Sequence, residues 1–170
     1  MLTLWRALVL PKFDYCSQLW CPLKIGDIQR LEAVQKSFIR KIKGSLGLNY
    51  WECLAKYKLY SLQRRRERYR IIYVWKILEN IVPNIGNIGL QSHITLRSGR
   101  CCKGQTIRPG VPAALQSHRA ATLGVHGAQL FNCLPQVIRD ISNCGVNDFK
   151  KELDKVLEKI PDEPLLPGYT

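Results

Sequence analysis

The feature that most constrains the fold is a run of five arginines within positions 63–70, which continues directly into the apolar positions 71–75. At helical spacing most of the arginines share one face, whereas apolar residues surround the helix axis in the second part. Ser61 is a suitable N-cap and Pro83 closes the pattern. We therefore expect one long helix from Ser61 to about Asn80, with a solvent-facing first half and a buried second half.

The same arginines are the main candidate for an anion-binding surface. A guanidinium group stays charged at physiological pH and presents a planar fork of donors that suits phosphate. Glu67 alone lies among them as a local ion-pair partner, so we expect the side chains to point outward without neutralising neighbours. The alternative is a solvated helix face without a ligand, which is the usual role of a charge run. The candidate residues are Arg64, Arg65, Arg66, Arg68 and Arg70.

The charge balance of the whole chain also favours a polyanionic partner. Lys and Arg number 26 against 13 Asp and Glu, which gives a formal net charge of +13 and an isoelectric point of about 9.7. No acidic residue occurs between Glu79 and Asp140, whereas ordinary surfaces mix both signs. Clustered cations bind nucleic acids because they release counterions from phosphates. An anionic membrane surface would also attract them.

Two further groups of cations are candidates for nucleic-acid contact. The first occupies the polar side of a helix that is predicted to begin near Asp27 and to end before Gly44. The second lies in the acid-free segment, where the alternative is an unstructured basic linker. The residues are Arg40, Lys41 and Lys43 in the first group, and Arg97, Arg100 and Arg108 in the second.

The cysteines indicate a reduced, intracellular protein of the nucleus or the cytoplasm. They number seven and form no Cys-x-x-Cys pair, so a secreted disulfide framework is not expected. Cys101 and Cys102 do not match a standard zinc-ligand spacing with any histidine, and we expect neither a metal nor another cofactor. No apolar run approaches the roughly 18 residues of a membrane span, so no membrane partner is expected.

Helix and loop signals predict a mainly α fold: a small helical bundle, then a basic loop-rich segment, then short C-terminal helices. Asn49 and Glu52 form a capping-box pattern that starts a short helix ahead of the long one. Farther on, repeated Gly and Pro remove any periodicity and leave at most a small hairpin. The predicted segments are a helical domain over 1–82, a basic irregular segment over 83–127, a helical part over 128–161 and an extended tail over 162–170.

Five short blocks, taken in order, resemble the region that follows the polymerase core in LINE-type, non-LTR retrotransposon reverse transcriptases of the jockey and CR1 kind. They begin with Leu-Pro-Lys-Phe-Asp-Tyr-Cys and Leu-Glu-Ala-Val-Gln-Lys, continue with Leu-Tyr-Ser-Leu-Gln-Arg-Arg-Arg, and end with Phe-Asn-Cys-Leu-Pro and Phe-Lys. The blocks occupy positions 10–16, 31–36, 59–66, 131–135 and 149–150.

The resemblance implies a thumb-like helical domain over 1–82 that grips RNA, DNA or their hybrid while an upstream polymerase core, if one is present in a longer product, copies RNA into DNA. The Tyr-x-Asp-Asp box of the family is absent, and no two aspartates are adjacent. Phosphoryl transfer by two metal ions needs clustered carboxylates. We therefore expect a nucleic-acid-binding module of an RNA-directed DNA polymerase, without sequence specificity and not an enzyme on its own.

Two other functions compete with nucleic-acid binding. The first is a helical protein-interaction scaffold whose charge only confers solubility. The second is attachment to a membrane surface through the basic amphipathic helix, which ranks third because the apolar half of that helix is expected to be buried.

Overall fold

The computed structural model describes residues 1–42, 44–45, 47–84, 88–107, 110 and 112–162. The mainly α fold predicted from the sequence is confirmed. The helices are α1 (Leu2–Leu4), α2 (Leu10–Asp14), α3 (Ile25–Arg40), α4 (Tyr50–Lys56), α5 (Leu62–Leu78), α6 (Ala113–Ala120), α7 (Ala128–Asn132), α8 (Gln136–Arg139) and α9 (Val146–Leu157), with π-helical stretches at Trp5–Val9 and Leu123–Gly127. The strands β1 (Gln91–Thr95) and β2 (Gly99–Lys103) form an antiparallel hairpin.

The chain divides into two compact units. Among the described residues, unit 1 contains Met1–Ser17, Pro22–Arg66 and the C-terminal pair Pro161 and Asp162. Unit 2 contains Gln18–Cys21 and Glu67–Ile160.

These units do not follow the predicted segments 1–82, 83–127 and 128–161. The physical reason lies in α5, because its apolar second half packs with the C-terminal helices in one core. Trp75 stacks on Phe149 of α9 with ring centroids 4.4 Å apart, and its indole nitrogen donates to the carbonyl of Ile141 at 2.9 Å. The predicted burial of the second half of α5 is therefore confirmed. Residues 163–170 of the predicted tail lie outside the described residues.

Unit 1 is built on the packing of the N-terminal helical stretch against α3. The Trp5 ring stacks on the Phe38 ring with centroids 4.2 Å apart. The stretch becomes π-helical between Trp5 and Val9, and the amide of Leu10 donates to the carbonyl of Trp5. Pro11 explains this change, because it has no amide hydrogen to continue an α-helical ladder.

The segment predicted to be irregular is more ordered than expected. It holds the β-hairpin, the helix α6 and the second π-helical stretch. Helix α6 was not predicted because nearly all its described side chains are exposed, and such a helix lacks an apolar periodicity. Pro112 stands as its N-cap, and six residues without Gly or Pro follow before Arg119.

None of the helices among the described residues is both long and apolar enough to cross a membrane.

Candidate nucleic-acid interface

Arg65 and Arg68 are each held by a carboxylate that the sequence places far away. The Arg65 guanidinium donates to both carboxylate oxygens of Asp14 at 2.6 Å, within unit 1. Arg68 donates to both oxygens of Asp154 in α9 at 2.5 and 2.7 Å, within unit 2. Bidentate pairs of this geometry are the strongest charge-assisted hydrogen bonds in proteins. Both guanidinium groups are therefore neutralised.

Arg64 meets the C-terminal segment within unit 1. Its Nη2 donates to the carbonyl of Pro161 at 2.6 Å, and its Nε lies 3.4 Å from Oδ1 of Asp162. Only 12% of the Arg64 side chain is exposed. This guanidinium is likewise neutralised by a carboxylate.

Arg66 and Arg70 are buried, with 1% and 0% of their surface exposed. Arg70 donates to the carbonyl of Gln18 and contacts Nδ1 of His126 at 3.2 Å. The expectation that all five arginines of α5 point outward without neutralising neighbours is therefore wrong. The contacts of Arg70 fit the rule that a buried cation is paired or hydrogen-bonded.

The N-terminus of α5 is held by three acceptors rather than by its N-cap alone. Ser61 caps the helix as predicted, since its Oγ accepts from the amide of Arg64 at 3.0 Å. Glu32 of α3 accepts from the amide of Gln63 at 2.8 Å. Asp162 accepts from the amide and the hydroxyl of Ser61 at 2.7 and 2.8 Å. Two of the acceptors are carboxylates, which the helix dipole favours at this end.

Glu32 is also the centre of a buried polar network in unit 1. The Tyr50 hydroxyl donates to it at 2.6 Å, and the amide of Gln35 donates to Tyr50 at 3.1 Å and to the carbonyl of Tyr60 at 3.0 Å. Burial raises the pKa of Glu32, while the bonds from Tyr50 and Gln63 and the charge of Arg66 act in the opposite direction. Sequence reasoning missed this network. Its only signal is that two polar residues, Glu32 and Gln35, fall on the buried face of α3.

The cations at the C-terminal end of α3 have a different environment from those of α5. Arg40 and Lys41 are exposed, and neither forms an ion pair with any carboxylate that the structure describes. Lys36, one turn before Arg40, is half-buried. Burial and the charge of Arg40 lower the pKa of Lys36. Cationic charge therefore accumulates at this end of the helix.

The remaining predicted contacts lie apart from this group. Arg97 is exposed in the turn of the hairpin, between β1 and β2. Arg100, a predicted nucleic-acid contact, is buried in unit 2, where it pairs with Glu79 at 2.6 Å. Its guanidinium is therefore neutralised inside the fold. Lys43 and Arg108 lie outside the described residues.

The cysteines form no disulfide and suggest no metal centre. All seven are free thiols. Burial raises the pKa of Cys102 to about 11, so this thiol stays protonated at neutral pH. Within the ranges that the structure covers, no three His, Cys, Asp or Glu side chains come together as metal ligands.

One contact of the buried arginines makes the stability of unit 2 depend on pH. A guanidinium only donates, so Nδ1 of His126 accepts from Arg70 and the imidazole is neutral. Burial and the charge of Arg70 lower the pKa of His126 to about 4, against an ordinary value of 6.5. The unfolded chain therefore binds more protons than the folded chain between these two pH values, and stability falls as the pH drops through them.

We expect unit 2 to lose about 1 to 2 kcal/mol of its free energy of unfolding between pH 6.5 and pH 4 through His126, after allowance for solvent screening of this half-buried group. Urea unfolding at a series of pH values measures the loss. His126→Gln should reduce the dependence on pH, whereas His118→Gln, at an exposed position of α6, should leave it unchanged. An identical pH profile in His126→Gln would contradict the assignment.

Comparisons of this chain with protein-family models, with curated proteins and with solved structures return no match.

Proposed function

We propose that the chain binds nucleic acid without sequence specificity, through the basic surface of unit 1. The observation that carries the proposal is the imbalance of exposed charge in that unit. Eight of its described cations are exposed, against two exposed carboxylates, Asp27 and Glu52. The exposed cations are Arg6, Lys12, Lys24, Arg30, Arg40, Lys41, Lys56 and Lys58.

The contacts of this surface argue for Arg40 and Lys41 as its centre. Arg6 donates to backbone carbonyls of Tyr57 and Lys58, and Lys56 donates to the carbonyl of Gly44 at 2.8 Å. Arg40 and Lys41 form no ion pair within the described part of the chain, so a phosphate can replace their counterions at little cost. Phosphate contacts carry no sequence information, which agrees with binding that does not depend on sequence.

The resemblance to LINE-type reverse transcriptases supports the same function. In the block at 31–36, Glu32 and Gln35 anchor the start of α5, while Lys36 stands beside the exposed cations. We propose that the chain acts as the part of such an RNA-directed DNA polymerase that follows the polymerase core and has no polymerase site of its own. Its partners would be RNA, DNA or their hybrid.

Replacing Arg40 and Lys41 together by Gln should weaken the binding of a random-sequence DNA duplex by about 10- to 50-fold at 0.1 M salt, because two phosphate contacts are lost. The slope of log affinity against log salt should become shallower by about 1.8, at 0.9 for each phosphate. A salt titration followed by fluorescence anisotropy measures both quantities.

The matched control is Lys151→Gln with Lys155→Gln, which removes the same charge from exposed positions of α9 in unit 2. These lysines already pair with Asp148 and Glu152, so the local effect should be small. An equal loss in both double variants would mean that only net charge matters. The proposal would be contradicted if the log affinity of the unaltered chain for DNA did not change with log salt.

One observation favours the protein-interaction scaffold as a second candidate. Leu4 and Leu8 lie one helical turn apart and are 62% and 61% exposed, which is unusual for paired leucines and typical of contact surfaces. The protein-interaction scaffold predicts that, in the same titration, the log affinity for DNA does not change with log salt.

A further inference from the structure

A pocket of about 200 Å³ lies in unit 1 between the end of α3 and the start of α4. Two cationic side chains, Lys36 and Arg40, line it, and none of its described lining residues is acidic. The other lining residues are Ile39, Ser45, Leu48, Asn49, Tyr50 and Cys53.

The two cations concentrate positive charge at the pocket. Lys36 and Arg40 are separated by one helical turn, an arrangement in which like charges destabilise a helix. Burial lowers the pKa of Lys36, and the charge of Arg40 lowers it further. A bound anion would relieve the repulsion. The pocket therefore has the electrostatics of an anion site.

The floor of the pocket is closed by buried side chains. Ile39, Tyr50 and Cys53 are all at least 95% buried. The Tyr50 hydroxyl is fixed by its bonds to Glu32 and Gln35 on the side of the core. A floor of this kind stops a ligand from passing through the pocket.

The rim adds polar groups from both sides of the turn. Oδ1 of Asn49 accepts from the amide of Glu52 at 2.8 Å, which leaves the amide nitrogen of Asn49 as a donor. Ser45 donates its hydroxyl to the carbonyl of Ile42 at 2.8 Å, which leaves its oxygen as an acceptor. The lining therefore combines two cations, one further donor and an apolar floor.

We infer that this pocket takes the terminal phosphate of a nucleic-acid strand, held between Lys36 and Arg40. A phosphomonoester carries about −1.5 to −2 charges at pH 7, which matches two cations, whereas a backbone phosphodiester carries one. The closed floor fits a strand end, because a continuous backbone would need an open groove. The volume lies below the roughly 300 to 1,000 Å³ of ordinary ligand pockets, so it suits a phosphate with part of its sugar better than a whole nucleotide. The inference rests on the proposed function.

The test compares single-stranded DNA of one sequence with a 5′-phosphate, with a 3′-phosphate, or with hydroxyl groups at both ends. One of the phosphorylated strands should bind about 5- to 20-fold more tightly than the hydroxyl strand, as expected for charge-assisted bonds to a second phosphate charge. Lys36→Met, which keeps the packing of the stem, should abolish this preference. Lys41→Gln is the matched control, because Lys41 does not line the pocket, and it should weaken all three strands equally.

The outcomes separate the two proposals. Equal affinity for all three strands, together with a steep salt dependence, would overturn the pocket assignment and leave the proposed function standing. Absence of binding to every strand and to the duplex of the salt titration would overturn both. If Lys36→Met fails to fold, NMR spectra of the unaltered chain test the pocket instead. One spectrum is recorded with the better-bound phosphorylated strand and one with the hydroxyl strand. Amide shifts of Ser45 and Asn49 specific to the phosphorylated strand support the site, and identical shifts exclude it.

Discussion

Glu32→Ala should destabilise unit 1 by about 3 to 5 kcal/mol, because two buried donors would lose their acceptor at about 1 to 3 kcal/mol each. The substitution would leave the amide of Gln63 and the hydroxyl of Tyr50 without their acceptor in the core. It would also remove the negative charge that faces the buried Arg66. Urea unfolding followed by circular dichroism measures the loss. Amide hydrogen exchange at Gln63 should show the greatest local loss of protection.

Two variants make this expectation specific. Glu32→Gln keeps one acceptor oxygen and the volume of the side chain, so it should cost less than Glu32→Ala. Glu52→Ala removes a carboxylate from the exposed capping box of α4, where a cap contributes about 0.5 to 2 kcal/mol. An equal, small effect of Glu32→Ala and Glu52→Ala would show that the buried network contributes no more than an ordinary cap.

Arg68 should contribute to stability and not to nucleic-acid affinity. Arg68→Met should cost about 1.5 to 3 kcal/mol, the range for hydrogen bonds to charged groups, because it leaves Asp154 without its bidentate partner. A double-mutant cycle with Asp154→Asn isolates the coupling between the two side chains. Anisotropy titrations below the unfolding temperature should give the same affinity for duplex DNA as the unaltered chain.

The control for this cycle lies on the same helix. Lys155 and Glu152 form an exposed pair whose side chains are 65% and 45% exposed, so their coupling should be about 0.5 kcal/mol or less. A large loss of DNA affinity in Arg68→Met without a loss of stability would restore the interface that the sequence predicts on α5.

Capping residues in the sequence were sufficient to predict where the helices α4 and α5 begin. The capping box of Asn49 and Glu52 forms both of its expected bonds, and Ser61 caps α5 as predicted. In α9, Phe149 and Leu153 follow each other at helical spacing and both lie in the core. Each of these features depends on residues within about one or two helical turns, which is why spacing alone reveals them.

Whether the arginines of α5 are exposed or paired depends on contacts with residues that are distant in the sequence. Arg65 and Asp14 are 51 positions apart, and Arg68 and Asp154 are 86 apart. Glu67 is the only acidic residue close to these arginines in the sequence. A prediction from the sequence therefore overestimates the exposed positive charge of α5. Arg40 and Lys41 were correctly placed on an exposed surface, because no distant carboxylate among the described residues reaches them. In a basic chain, the cations that stay exposed and charged are those to which the fold brings no carboxylate.

The bonds from Asp162 to Ser61 span 101 positions of the chain. During translation this contact can form only after Asp162 has been synthesised and has left the ribosome. Unit 1 begins the sequence, yet its assembly finishes after the residues of unit 2 have been synthesised. N-terminal regions usually complete their folding first. The start of α5 is an exception, because its contact with Asp162 forms only after unit 2 has been synthesised.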